Sequence, residues 1–381
     1  MRDFAQELVD LVIDNVAATG KSRDIGSCGA VCRRWLPRSR MHLFSQITLS
    51  NSSPATIPRL INLVDASPSN ILSFVQTLDI HLKCRISEQH MARLERCCSA
   101  LRELRICFVP QTERFEFDHI VRQLVLRFGG SCPALTRVEL DIELDIPLNV
   151  VADLITSLPG LTHLRLSGPP LSGGIYDPAT ILSDNGVVYP KTVPPADILP
   201  PSWHSLDISL SGGATLLFQW LLSHSEPPTF TSLKLAGWVA SYPIEPVCSY
   251  FRRFGSQIES LSLAYCADRL NSHTVFETRA FEAHALATTP RLVELKLVWQ
   301  DPGYIPALLT SISSVHLTTL RIGVILAEPQ PDWLVIDTVL ATSQFGSLRN
   351  ISFTHQNRSL ISPELKLLMP HASARNILAQ I

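Results

Sequence analysis

The chain has little charge and no long apolar run. Of its 381 residues only 17% are charged, and the formal net charge is −2. No strong overall field therefore draws it to nucleic acid or to an anionic membrane. No stretch of about 18 consecutive apolar residues occurs, so no membrane span is expected. Arg2, Asp3, Glu7 and Asp10 stand where a secretory leader needs an apolar stretch, so no leader is expected either. Nine cysteines is an odd number, no Cys-x-x-Cys occurs, and the spacings form no disulfide grid. Reduced thiols and a cytoplasmic and/or nuclear location follow as expectations. The sequons at Asn51 and Asn357 are read as chance matches. His-Glu-x-x-His and Gly-x-Ser-x-Gly are both missing. Thr19-Gly20-Lys21-Ser22 lacks the earlier glycine of a phosphate loop, because Asn15 stands there. Cys28 and Cys32 have helical spacing but no second pair to complete a metal site, and they are read as core. The expectation is a non-catalytic chain with no cofactor and no metal.

What the chain does have is one apolar phrase, Leu-x-x-Leu-x-Leu or a near variant, ten times over. It begins at Val75, Leu101, Leu135, Leu161, Trp203, Phe230, Ile258, Leu292, Leu317 and Leu348. Its last two apolar positions are two residues apart, the strand period, so both point to one face. No single copy buries that face alone, whereas stacked copies share a continuous core. The pattern reads as a leucine-rich-repeat solenoid of the α/β class, and a solenoid is usually a binding surface.

The phrases lie 25 to 42 residues apart. Spacings this long leave room for a return helix. Apolar residues three and four apart predict helices at Leu148 to Leu158, Ala214 to His224, Pro246 to Phe254, Val275 to Ala287, Pro306 to Ile312 and Asp332 to Phe345. Strand then helix, repeated, gives parallel strands through right-handed crossovers, with strands concave and helices convex. A last helix near Pro363 to Ile381 is expected to cap the core. Gly168 to Ser202 holds eight of the 27 prolines and is read as a long rim loop tolerated as an insertion.

The residue between the two inward positions faces the open side of each strand. In order these residues are Asp79, Arg105, Glu139, Arg165, Asp207, Lys234, Ser262, Lys296, Arg321 and Ser352. The first six alternate in sign, and adjacent rungs lie about 4.8 Å apart, so they form a self-neutralising ladder. The last four have no acidic member, which leaves Lys296 and Arg321 basic and only partly offset by Glu294. Arg105, Arg165, Lys234, Lys296 and Arg321 are the candidate target-binding residues, for an acidic or phosphorylated segment of a protein target not identified by sequence.

Residues 1–50 break the repeat and read as a separate helical module before a repeat domain over 51–381. Leu8, Leu11, Val12 and Val16 share a helical face, with Val9 and Ile13 beside them. A second helix near Asp24 would carry Ile25, Cys28, Val31, Cys32 and Trp35, with Pro37 interrupting it. Arg33, Arg34, Arg38 and Arg40 are read as a solvated basic face. Three short amphipathic elements make a thin core that tends to bury apolar surface against a partner.

Glu7-Leu8-Val9-Asp10-Leu11-Val12-Ile13-Asp14 followed by Val31-Cys32-Arg33-Arg34-Trp35 resembles the F-box. The continuation from Leu36 to Phe44 is similar to the F-box-like proteins of basidiomycete fungi. The resemblance covers about residues 4–50. It implies a substrate receptor of a Skp–cullin–F-box ubiquitin ligase, docked on the Skp adaptor and through it on a cullin, with the repeats holding a target. By position it assigns Leu8, Val12, Ile13, Val16, Val31, Cys32 and Trp35 to the module and its adaptor face. Phe4-Ala5 stands where that family usually carries Leu-Pro. The alternative is a repeat scaffold that binds proteins without assembling into a ligase.

Overall fold

A period of two decides the sheet, and the computed structural model of the chain shows how. It describes residues 5–50, 56–66, 71–82, 99–108, 131–142, 148–168, 199–209, 213–236, 245–264, 282–299, 302–324, 332–355, 358–359 and 363–378, with a few isolated positions between. All thirty apolar positions of the ten phrases are 3% exposed or less. The chain divides into two compact units, Met1–Thr162 and His163–Ile381.

The N-terminal unit opens with helices α1 (Gln6–Ala18), α2 (Ser22–Val31) and α3 (Leu36–Phe44). The strands β1 (Gln46–Ser50), β2 (Thr77–Leu82), β3 (Glu103–Phe108) and β4 (Arg137–Ile142) follow. They pair in parallel in chain order. Ile47 and Leu49 of β1 align with Leu78 and Ile80, so the parallel ladder already begins before the first of the ten phrases. The module boundary expected near residue 50 therefore falls inside this unit, at a strand already paired. Helices Thr56–Ala66 and Leu148–Ser157 and a 3-10 turn, Ile71–Phe74, are described in it as well.

The C-terminal unit carries β5 (His163–Ser167), β6 (Ser205–Ser209), β7 (Ser232–Ala236), β8 (Ser260–Ala264), β9 (Glu294–Trp299), β10 (Thr319–Val324) and β11 (Asn350–His355). These also pair in parallel in chain order. A two-residue strand, β12 (Arg358–Ser359), closes the edge antiparallel to β11. Described helices occur at Gly213–Leu222, Glu245–Phe254, Ile305–Thr310 and Trp333–Leu340, close to the predicted ones. Of the helix expected over Val275 to Ala287, residues 282–287 are helical and 275–281 lie outside the described residues.

Successive repeats are tied by a recurring bond as well as by apolar burial. In most repeats the carbonyl of the residue two before the middle apolar position accepts two amides from the next repeat. Arg102 O takes Thr136 N and Arg137 N, Thr231 O takes Glu259 N and Ser260 N, and Thr318 O takes Arg349 N and Asn350 N, all at 2.8–3.0 Å. Threonine suits this position, because Thr162 and Thr318 also donate their hydroxyls to the preceding repeat, at 3.0 and 3.2 Å. On the apolar side the helices fill the core with rings. Tyr250 lies 5.0 Å from Phe218 and 5.5 Å from Phe230, and Trp333 lies 5.0 Å from Phe353. The Tyr250 hydroxyl donates to Pro228 O at 2.7 Å and accepts from Phe230 N at 3.2 Å, so no polar atom of that buried side chain is unmet.

Three expectations are corrected. The second helix stops at Val31, and Cys32 is extended at φ −164° and ψ 171°, so Cys28 and Cys32 do not share a helical face. Pro37 does not interrupt a helix but sits in the first turn of α3, where its missing N–H has no helical acceptor to lose. The single C-terminal helix is two short ones, Pro363–Leu368 and Pro370–Ala374, because Pro370 cannot continue the first. The buried Asp337 carboxylate accepts both His371 N and Ala372 N, at 2.8 and 2.9 Å, and so caps the second of them. Arg375 donates to the carbonyls of Leu340 and Phe345, and these bonds hold the end of the chain to the last repeat.

Residues 169–198 of the expected rim loop, Cys97 and Cys98, and both sequon asparagines lie outside the described residues. Among the described residues no helix is long and apolar enough to cross a membrane, and no group of three His, Cys, Asp or Glu could hold a metal. Among the described residues, Cys28, Cys32, Cys107, Cys132 and Cys248 form no disulfide.

Candidate docking faces

The first face is apolar and lies on the helices of the N-terminal unit. At 100° per residue, Leu11, Leu8, Val12, Val16, Val9, Ile13 and Ala17 span roughly two thirds of the circumference of α1, with Asn15 between Leu11 and Leu8 and Gln6 between Ile13 and Ala17. The interior uses only one end of that arc. Val9 and Ile13 are 5% and 0% exposed, whereas Leu8, Leu11 and Val12 are 51%, 57% and 47% exposed. Val31, at the end of α2, is 61% exposed. Cys32 is exposed, and Val16 and Trp35 are half-buried. Ile13, which the resemblance assigned to the module and its adaptor face, is core: a side chain with no exposed area makes no outside contact. Leu11 joins the face in its place, and its three-residue spacing from Leu8 was the available signal.

Two local devices hold these helices in position. Arg38 donates through Nε and Nη2 to the two oxygens of Asp14, at 2.7 Å each, and His42 Nε2 lies 2.7 Å from Asp14 Oδ1. These bonds tie α3 to α1 and hold the Asp14 carboxyl at about 2, below its usual 3.8. Arg38 thus has a partner and is not simply part of a solvated basic face. Small residues set the α2–α3 approach: a Cβ on Gly29 would lie 3.4 Å from Ser39 Cβ, and Ser39 is fully buried.

The second face is polar and belongs to the strands. The predicted register holds in each unit. Asp79, Arg105 and Glu139 are neighbours in the first. Arg165, Asp207, Lys234, Ser262, Lys296, Arg321 and Ser352 are neighbours in the second. Charge pairing is richer than a ladder of rungs, because residues two apart on one strand also meet. Arg105 donates to Glu103 Oε1 at 2.8 Å and lies 3.5 Å from Glu139, and Arg137 binds both of the same carboxylates at 3.1 and 2.6 Å. Glu103, with help from Glu139 and Asp79, pushes the Arg105 guanidinium up. The same two-residue spacing was visible in Glu103/Arg105 and Arg137/Glu139, and reading along rungs alone passed over it.

In the C-terminal unit Asp207 holds Lys234 at 2.8 Å and Arg165 at 3.6 Å. Arg321 meets Glu294 at 3.1 Å. Lys296 is exposed and has no ion-pair or hydrogen-bond partner among the described residues. Of the five candidate target-binding cations, then, Arg105, Arg165 and Lys234 have nearby carboxylates in the sheet, Arg321 has one in solvent, and Lys296 has none.

These elements define an α/β protein whose units are parallel sheets with accompanying helices. No protein-family model matches the chain, and no curated protein matches it. Among solved structures it is similar to a chain in the "Crystal structure of Rad7 and Elc1 complex in yeast", at 12% identity over 94% of this chain and 91% of that one, with a TM-score of 0.40.

Proposed function

We propose that this chain is the substrate-recognition subunit of a Skp–cullin–F-box ubiquitin ligase, with leucine-rich repeats that bind a protein target. The observation that carries the reading is the solvent-facing stripe Leu8, Leu11, Val12 and Val31 on α1 and α2. A free helical face this apolar gains by burial, at about 25 cal/mol per Å². The Val31-Cys32-Arg33-Arg34-Trp35 segment, with its F-box resemblance, makes a Skp-type adaptor the occupant. The chain itself then performs no bond chemistry. It raises the local concentration of a target lysine beside the charged ubiquitin carrier, which is catalysis by proximity. The polar strand face is the target surface, and the cytoplasm or nucleus is where such a complex would work.

The purified chain is expected to co-elute with a Skp-type adaptor. Leu8→Asp with Val12→Asp should abolish this while leaving the circular dichroism spectrum unchanged, because both side chains are exposed. Co-elution that survives the double substitution would remove the stripe as the docking face.

A second reading, a repeat scaffold without a ligase, draws on the N-terminus of α1. Ala5, the second of the two residues that stand where the F-box family usually has Leu-Pro, is its N-cap and makes no side-chain cap bond. Failure of the unaltered chain to bind any Skp-type adaptor selects this reading.

A further inference from the structure

We infer that the row Ser262–Lys296–Arg321 binds a carboxylate side chain on an extended acidic segment of the partner. This deepens the target-binding half of the proposal above and rests on it only for the partner being a recruited target. The three residues are in register on adjacent strands β8, β9 and β10, so their Cα atoms follow one another at about 4.8 Å. Each has hydrogen-bonding capacity to spare. The Lys296 ammonium, with three donors, has no partner among the described residues. Arg321 forms an ion pair with Glu294, Nη2 to Oε1 at 3.1 Å, which leaves its five-donor fork open to another acceptor, and both side chains of that pair lie in solvent, at 57% and 40%. The Ser262 hydroxyl is shielded from solvent and has no hydrogen-bond partner among the described residues, a cost that an incoming acceptor removes. The next rung on one side, Lys234, is already held by Asp207. On the other side the rung is the neutral Ser352.

Local charge chooses between the two anions such a row could take. Lys296 and Arg321 against Glu294 sum to +1. One carboxylate neutralises that. A phosphate, at about −1.5 to −2, would overshoot it and face Glu294. Strand β8 presents only Ser260, Ser262 and Ala264 on this side, so an extended backbone can come close enough for a short Asp or Glu side chain to reach the row.

The probe is a fluorescein-labelled nonapeptide pool with Asp fixed at position 5 and uncharged residues elsewhere, offered to the full chain without adaptor. Matched pools carry Asn, phosphoserine or Lys at position 5. The Asp pool is expected to bind about fivefold more tightly than the Asn pool at low salt. Lys296→Glu with Arg321→Glu should abolish that preference and transfer it to the Lys pool, while Ser262→Ala should narrow it. Equal binding of the Asp and Asn pools overturns the inference. So does a preference unmoved by the charge reversal, and so does a phosphoserine pool that binds more tightly than the Asp pool. Adaptor co-elution of the charge-reversed chain separates this outcome from failure of the ligase reading, since Lys296 and Arg321 lie outside the helices that dock it.

Discussion

In the N-terminal unit the polar side of the sheet closes on itself. Two carboxylates, Glu103 and Glu139, are 19% and 12% exposed, and two arginines, Arg105 and Arg137, divide them without leaving a free donor row. In the C-terminal unit the same strand pattern ends differently. Asp207 occupies Arg165 and Lys234, β8 supplies only small side chains, and Lys296 has no partner among the described residues. Both faces are built on an apolar side buried to the same degree. A shared scaffold therefore says little about what each face can bind; the partner arithmetic of the charged residues does.

The largest expected effect tests the shared part. Leu104→Ala in the N-terminal unit and Leu261→Ala in the C-terminal unit should each cost about 2–5 kcal/mol, since both side chains are 1% exposed. Hydrogen exchange of the strand amides in each unit reads this locally. A large loss in one unit beside a negligible loss in the other would break the equivalence of the two scaffolds.

Next is Gly255→Ala, at about 1–3 kcal/mol in the C-terminal unit. Its Cβ would come within 2.7 Å of Thr288 O, a backbone atom that cannot swing away. Thermal unfolding that matches the parent chain would show that the turn at Thr288 shifts freely.

Smaller effects test the two polar faces directly. Glu139→Ala should cost about 1 kcal/mol, because two arginines lose a partly buried partner. Lys296→Ala should stay within about 0.5 kcal/mol, because nothing among the described residues pairs with it. Equal costs in chemical denaturation would erase the contrast between the faces.

The smallest is the acid response of the helices. Asp14 is depressed from 3.8 to about 2 by Arg38 and His42, so its contribution is fully present above pH 3.8 and is lost as pH falls toward 2. Its side chain is 37% exposed, so solvent screens much of this effect. Asp14→Asn should flatten the change in helical signal between pH 4 and 2. An unchanged profile would mean that other carboxylates govern it.

The strands were legible because their signal is local and repeated ten times, and the return helices were legible from three- and four-residue spacing. The breaks were less so. Whether Pro37 ends one helix or opens another depends on Cys32 turning extended, and no residue type announces that. Ile13 and Val12 are equally apolar neighbours on α1; one is core and the other surface because α2 and α3 cover only one arc.

By itself the sequence determined which side chains share a face of each strand, and so which residues stand in the polar rows Asp79 to Glu139 and Arg165 to Ser352 of the two units. The reason is covalent: alternation along a strand needs no neighbour. Only the tertiary structure decided which cations of those rows are satisfied, because an ion pair needs a carboxylate within a few ångströms. Whether it comes from the same strand, the next strand or nowhere is settled by packing.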